Sequence, residues 1–189
     1  MQQIETARLV MTPGAVARRA LAVALGAALV ALSAQVAIPL PGTPVPVTLQ
    51  VPAVLIVGGL LGPRLGALSM GVYLAFGAAG LPVFAPTGVP GFARLLGPTG
   101  GYLLAYPLAA ALVGTVVRRR NTWPVIAVAL VGGLAVIHAG GIAQLAILSG
   151  DVRTAVALGS VPFLLLDVVK LLFAGLIVRR FGTRTRALV

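Results

Sequence analysis

The stretch Val161-Pro-Phe-Leu-Leu-Leu-Asp-Val-Val-Lys-Leu-Leu-Phe-Ala-Gly-Leu-Ile-Val178 is long and apolar enough to cross a bilayer as a helix, yet it holds Asp167 and Lys170 well inside both ends. At roughly 100° per residue, side chains three apart fall on neighbouring parts of one helix face. A single charge at bilayer centre costs about 2.5–3.5 kcal/mol on insertion scales. The pair must therefore face protein or a polar cavity. Two readings stay open: an ion pair that ties this helix to its neighbours, or part of a ligand site. Lys170 is the only lysine, and Asp167 is one of three acids.

The rest of the chain fixes the class. Of 189 residues 59% are hydrophobic and 9% charged, too little polar surface for a soluble domain of this size. The reading is an all-α membrane protein of one domain in contact with the lipid bilayer. The net charge of +11 sits in short arginine clusters between apolar runs rather than on a basic face with interleaved aromatics, which argues against nucleic acid. With no cysteine, disulfides and thiolate metal sites are excluded.

Taken in order, residues 1–19 read as a polar lead on the cytoplasmic side, flexible or a short surface helix. Arg18-Arg19 ahead of an apolar run imitates a signal peptide, but apolar spans continue to the end of the chain and a retained span is expected. The transmembrane domain is expected over 20–178, with a basic tail over 179–189. Span 1, about Ala20–Ile38, carries Ala20, Ala24, Ala27, Ala28 and Ala31, which make one side nearly smooth. Small residues at this spacing let a second helix approach closely in lipid, within the bundle or outside it. Prolines 39, 41, 44 and 46 make the next segment a stiff loop. Span 2 (about 48–61) begins with Gln50. It meets span 3 (64–79), which carries Tyr73, at the tight turn Gly62-Pro63-Arg64. A long loop follows, Gly80 to Gly97, with the lone Arg94; loops of that length are usually binding segments or lids. Spans 4 (99–117), 5 (123–148) and 6 (161–178) complete six, with Asp151 and Arg153 in a short connection and Ser160 placed to cap span 6.

Six spans put both termini on one side. That side collects Arg8, Arg18, Arg19, Arg64, Arg118 to Arg120, Arg179, Arg180, Arg184 and Arg186, while the other has only Arg94 and Arg153. The positive-inside rule makes the termini cytoplasmic. Spans 2, 4 and 6 then start at the outer side, so that a small anion arriving from outside meets the N–H groups of Thr99, Gly100 and Gly101 near Arg94. Asp167 and Lys170 lie deeper. A molecule with a carboxylate at one end and a polar ring at the other suits this arrangement.

Several functions lose support. There is no phosphate loop for ATP and no serine elbow, and His138 has no second histidine or acid at ligand spacing, so it reads as a packed, hydrogen-bonded side chain. No catalytic constellation, cofactor or metal site is visible. Transport or ligand binding remains.

The set Pro44-Val-Pro-Val-Thr-Leu-Gln50, Gly58-Gly-Leu-Leu-Gly-Pro-Arg-Leu-Gly66, Ala79-Gly-Leu-Pro-Val-Phe84, Leu96-Gly-Pro-Thr-Gly-Gly-Tyr102 and Asp167-Val-Val-Lys170 resembles the BioY family, from residue 18 onward and in the expected order. The resemblance implies the fold of a substrate-capture (S) component of energy-coupling-factor (ECF) importers. It implies biotin capture from outside, and partnership with a transmembrane coupling protein and a pair of ABC-type ATPases. It implies that Asp167 and Lys170 contact the vitamin, with Arg94, Tyr73 and Gln50 as further contacts, and that the alanine face of span 1 docks the coupling protein. On this basis the Asp167 carboxylate accepts ureido N–H bonds, Lys170 donates to the ureido oxygen, and Arg94 with Thr99 and Gly100 holds the valerate carboxylate. Tyr73 or a phenylalanine packs on the thiophane ring. The alternatives are a capture subunit for another small vitamin and a non-transporting assembly subunit in which the charges only lock helices.

Overall fold

The computed structural model describes residues 13–189; Arg8 and the rest of the segment 1–12 lie outside the described residues. Among these, α1 is Pro13–Ala34, β1 Ala37–Ile38, β2 Val47–Thr48, α2 Gln50–Ala78, α3 Ala93–Leu96, α4 Gly100–Arg119, α5 Trp123–Ser149, α6 Val152–Gly159, and α7 Leu164–Leu188 after a single 3-10 turn, Val161–Phe163. Five stretches are long and apolar enough to cross a membrane, α6 and α7 counting as one.

The second of these is two rods. Gly62 has φ 80° and ψ −179°, a conformation that only glycine adopts without strain, and Pro63 then starts the next helical turn. The arms double back: Gln50 and Tyr73 are hydrogen-bonded, whereas a straight helix would hold them roughly 35 Å apart at 1.5 Å per residue. The turn expected at 62–64 is therefore present, and the bundle has six apolar rods.

α4 is the central rod, packed against α2 on one side and α5 on the other. The helices approach closely through glycine: a methyl group at Gly58 would stand 2.5 Å from the Ala110 carbonyl oxygen. Such small-residue contacts are how packing substitutes for the hydrophobic effect between helices in lipid. By contrast, α1 packs mainly on α2 and leaves much of its surface exposed.

Four sequence expectations need correction. Residues 13–19, expected as a lead ahead of span 1, are already helical and continuous with it as part of α1, since nothing in 14–19 breaks a helix. This helix ends at Ala34, and Ala37–Ile38 pairs instead with Val47–Thr48 in a small antiparallel hairpin. The short connection after span 5 is a helix: Gly150 ends α5 in the left-handed conformation, and the Asp151 carboxylate accepts from the Arg153 and Thr154 amides to start α6. Ser160 makes no side-chain cap bond; Pro162 shapes a 3-10 turn there and α7 starts only at Leu164, continuing through the basic tail to Leu188.

The two ends of the bundle differ. The Gly62 turn, the ends of α4 and α7 and the start of α1 gather the arginines, with Arg19 Nε donating to the Val189 carbonyl oxygen at 2.8 Å and Arg186 donating to the Gly59 carbonyl. The other end brings together the starts of α2, α4 and α7, the last turns of α5, the hairpin and the loop 79–99.

Candidate functional site

The convergence of those helix starts encloses a chamber. Its wall includes Thr48 and Gln50 from the start of α2, Arg94 from α3, Thr99, Tyr102 and Tyr106 at α4, Ile137 and His138 from α5, and Phe163, Asp167 and Lys170 around the start of α7. Val45, Pro46, Phe84 and Ala85 close it from the loops. Three helix N-termini, those of α2, α4 and α7, face this end, and their dipoles make it favourable for negative charge.

Asp167 is the electrostatic centre. Because the 3-10 turn delays α7, Asp167 lies in the first turn of that helix and not in the middle of an unbroken span, so the helix dipole favours its carboxylate. It is 2% exposed. Lys170 Nζ donates to Oδ1 at 3.0 Å and His138 Nε2 meets Oδ2 at 2.9 Å. The charges are thus paired, as burial requires, and the chamber lies beside them. His138 is the hydrogen-bonded side chain that the sequence suggested, but its partner, Asp167, stands 29 positions later on another helix and was not named. The signal available was a lone histidine inside an apolar span, and it named no partner.

Arg94 is 7% exposed although it lies on the short α3 within the long connection between α2 and α4. Its guanidinium passes over Gly88, where any side chain would collide with it, and donates to the Ala85 carbonyl; its Nε has no hydrogen-bond partner among the described residues. Burial pulls its pKa below the ordinary arginine value, with the nearby Tyr73 acting in the opposite direction. Arg94 lines both the chamber and a second pocket of about 280 Å³ bounded by Pro44, Thr87, Gly88, Val89, Gly97, Pro98 and Thr99. An arginine held this way on α3 is a cation stationed between the second pocket and the chamber.

Gln50 and Tyr73 divide the roles expected of them. Gln50 lines the chamber; its side-chain amide donates to the Tyr73 hydroxyl and accepts from Thr48 Oγ1 at 3.2 Å. Tyr73 is fully buried and stands behind Gln50, off the chamber wall, with its ring edge-on to Phe84 at 5.4 Å and stacked on Tyr106 at 6.4 Å. The aromatic surfaces on the wall are Phe84, Tyr102, Tyr106 and Phe163 instead. Gly100 is also off the wall. A side chain there would run into the Leu95 carbonyl, so its glycine serves the close join of α3 and α4, which Gln144 Nε2 fastens by donating to the carbonyl oxygens of Leu95 at 2.9 Å and Gly97 at 2.8 Å.

The roof consists of α6 and the hairpin. Tyr102 donates its hydroxyl hydrogen to the Gly159 carbonyl at 2.6 Å, and Thr43 in the hairpin loop donates to the Leu158 carbonyl at 2.7 Å. Gln35, just past α1, donates to the Pro82 and Phe84 carbonyls and so ties α1 to the loop that carries Phe84 and Arg94. The chamber is tight at about 60 Å³. At about 30 Å³ per water in the liquid, that is room for about two. A vitamin-sized molecule must push lining groups aside, and those that yield without breaking a helix are on the hairpin and the loop 79–92.

On the opposite flank, the alanine side of α1 forms one wall of an apolar groove of about 870 Å³ whose other wall is Leu65, Leu68, Val72 and Phe76 of α2. Ala20, Ala24 and Ala28 are exposed there, Ala31 is half-buried, and Ala27 is buried against the core.

Known proteins resemble this chain in sequence and in fold. A crystal structure of the S-component for biotin from an ECF-type ABC transporter superposes with a TM-score of 0.81 at 29% identity, covering 90% of this chain and 93% of that one. The "Biotin transporter BioY" of Thermotoga maritima is 40% identical over 154 residues, 81% of this chain and 89% of that protein. The "Probable biotin transporter BioY" of Pyrococcus horikoshii is 40% identical over 163 residues, 86% and 95% of the two chains. The profile of the BioY family matches residues 4–187, and with a match over nearly its whole length this chain belongs to the BioY family.

Proposed function

We propose that this protein captures biotin at the outer face of the cytoplasmic membrane and hands it on as the substrate-binding subunit of an ECF-type importer. The observation that carries this is the acid and base pair Asp167–Lys170, buried on the wall of a chamber under two loops, in a chain that matches a biotin S-component over most of its length. The arginine-rich end is cytoplasmic by the positive-inside rule, which puts the chamber end outside. In the bound state Lys170 donates to the ureido oxygen and Asp167 accepts a ureido N–H. Phe84, Phe163 and Tyr102 cover the apolar ring, and Arg94 with Thr99 takes the valerate carboxylate near the loop surface. Charge-assisted bonds of this kind are roughly twice as strong as neutral ones, and the dry wall preserves that advantage. The exposed alanines of α1, Ala20, Ala24 and Ala28, are the docking face for a transmembrane coupling protein, and a pair of ABC ATPases supplies the energy that this chain has no phosphate loop to harness.

The test is calorimetric titration of the purified protein with biotin and with desthiobiotin. One binding site for both is expected, since both carry the ureido ring and the carboxylate. A protein that takes up neither would be an assembly subunit in which Asp167, Lys170 and His138 only hold α5 and α7 together. That second reading has one observation in its favour, the contacts of His138 and Lys170 with Asp167, and against it stands the chamber beside them.

A further inference from the structure

His138 has a half-used ring. An ionised carboxylate only accepts hydrogen bonds, so the 2.9 Å contact with Asp167 Oδ2 requires the proton on Nε2. A neutral imidazole then has an acceptor lone pair on Nδ1. That atom is buried and without a hydrogen-bond partner among the described residues, on a side chain that lines the chamber. Its other neighbour, Tyr102, meets the ring edge-on at 6.3 Å and spends its hydroxyl hydrogen on Gly159. A buried nitrogen left unpaired is destabilising, and most such atoms in native proteins do have a partner.

Biotin supplies what is missing. In a five-membered cyclic urea the two N–H bonds lie on opposite sides of the carbonyl and diverge, so one carboxylate cannot accept both. Each Asp167 oxygen is in addition already engaged, one by Lys170 and one by His138. We infer that His138 is a ligand-recognising residue whose Nδ1, fixed as an acceptor by Asp167, takes one ureido N–H while Asp167 takes the other. This rests on the biotin reading and refines it: recognition of the ring uses an acceptor pair on α5 and α7, with Lys170 as the donor. A ligand lacking one of the two N–H groups loses its bond to one helix.

Two substitutions separate recognition from mere support of Asp167. In His138→Gln the amide nitrogen occupies the place of Nε2 and still donates to Asp167, but the Nδ1 acceptor is gone. In His138→Asn the amide oxygen replaces Nδ1 and the reach to Asp167 is lost. Calorimetric titration with biotin is expected to show His138→Gln weakened about tenfold, the worth of one hydrogen bond, and His138→Asn weakened less. Wild-type affinity in His138→Gln would overturn the inference, because it would leave the histidine only the job of holding Asp167. A measurement on the unaltered protein guards against variants that fail to fold: with 15N-labelled histidine, the Nδ1 resonance should move upfield on adding biotin or desthiobiotin while the Nε2 proton persists, and an unmoved Nδ1 signal would refute the assignment. Absence of biotin binding by the wild type removes the functional reading itself, whereas biotin binding with His138→Gln unaffected removes only this inference.

Discussion

Replacing Asp167 by asparagine removes one negative charge and little volume. In the wild type its carboxylate accepts from Lys170 at 3.0 Å and from His138 at 2.9 Å, and the Lys170 side chain is only 11% exposed. Taking away one partner leaves that ammonium buried without its counter-charge, which costs about 3–5 kcal/mol in comparable sites. Loss of a carboxylate from the first turn of α7 adds about 0.3–1 kcal/mol. The second variant combines Asp167→Asn with Lys170→Met, so that no uncompensated charge remains, and most of the stability should return, since the unpaired buried charge is the main cost of the single variant. Affinity should not return. A charge-assisted hydrogen bond contributes about 1.5–3 kcal/mol, so removing even one weakens biotin binding by roughly ten- to a hundredfold. Thermal unfolding gives the stability arm and calorimetry the binding arm. Recovery of wild-type biotin affinity in the double variant would refute the reasoning, because the charges would then be helix locks and nothing more.

Three further outcomes follow from other parts of the molecule. Ala24→Trp with Ala28→Trp, both on the exposed face of α1 and away from the chamber, should abolish uptake in cells that also express the ECF coupling protein and ATPases while leaving biotin binding by the purified protein unchanged; undiminished uptake would remove the docking role. Tyr73→Phe deletes the partner of a buried amide and should lower stability by about 1–3 kcal/mol, with a smaller effect on biotin affinity than Gln50→Ala, because only Gln50 is on the wall. At α6, hydrogen bonds from Thr154 and Arg153 hold the Asp151 carboxylate below its ordinary pKa of 3.8. The folded value is the lower one, so the cap is intact above pH 3.8 and is lost as the pH falls through the folded value. The Thr154 amide resonance should titrate with a midpoint under 3.8, and Asp151→Asn should abolish that titration.

The division between what was legible and what was not follows the range of the interactions. Apolar length, proline and glycine breaks and the one-sided arginines are local properties, and each acts through the backbone geometry or the solvation of its own segment. They alone determined a helical membrane protein, the Gly62 turn, a non-helical proline loop over 39–46 and a charged pair that must face protein. The same locality explains the misses near helix ends, where Pro162 shifts a boundary and Asp151 opens a short helix inside an apparent connection. Motif resemblance went further and pointed to Arg94 and Gln50, both of which the fold brings to the chamber wall.

Only the tertiary structure decided which side chains meet. Whether Tyr73 touches a ligand or stands behind Gln50 depends on the rotation of one α2 arm against the other, and a periodicity read along a single chain carries no information about that angle. The partnership of His138 with Asp167 likewise exists because α5 and α7 lie side by side at one depth, and neither residue names the other in sequence. The chamber is the residue of all these packings together: its walls come from the starts of α2, α4 and α7, from α5 and from two loops, and no local rule sums such separated pieces into an enclosed space.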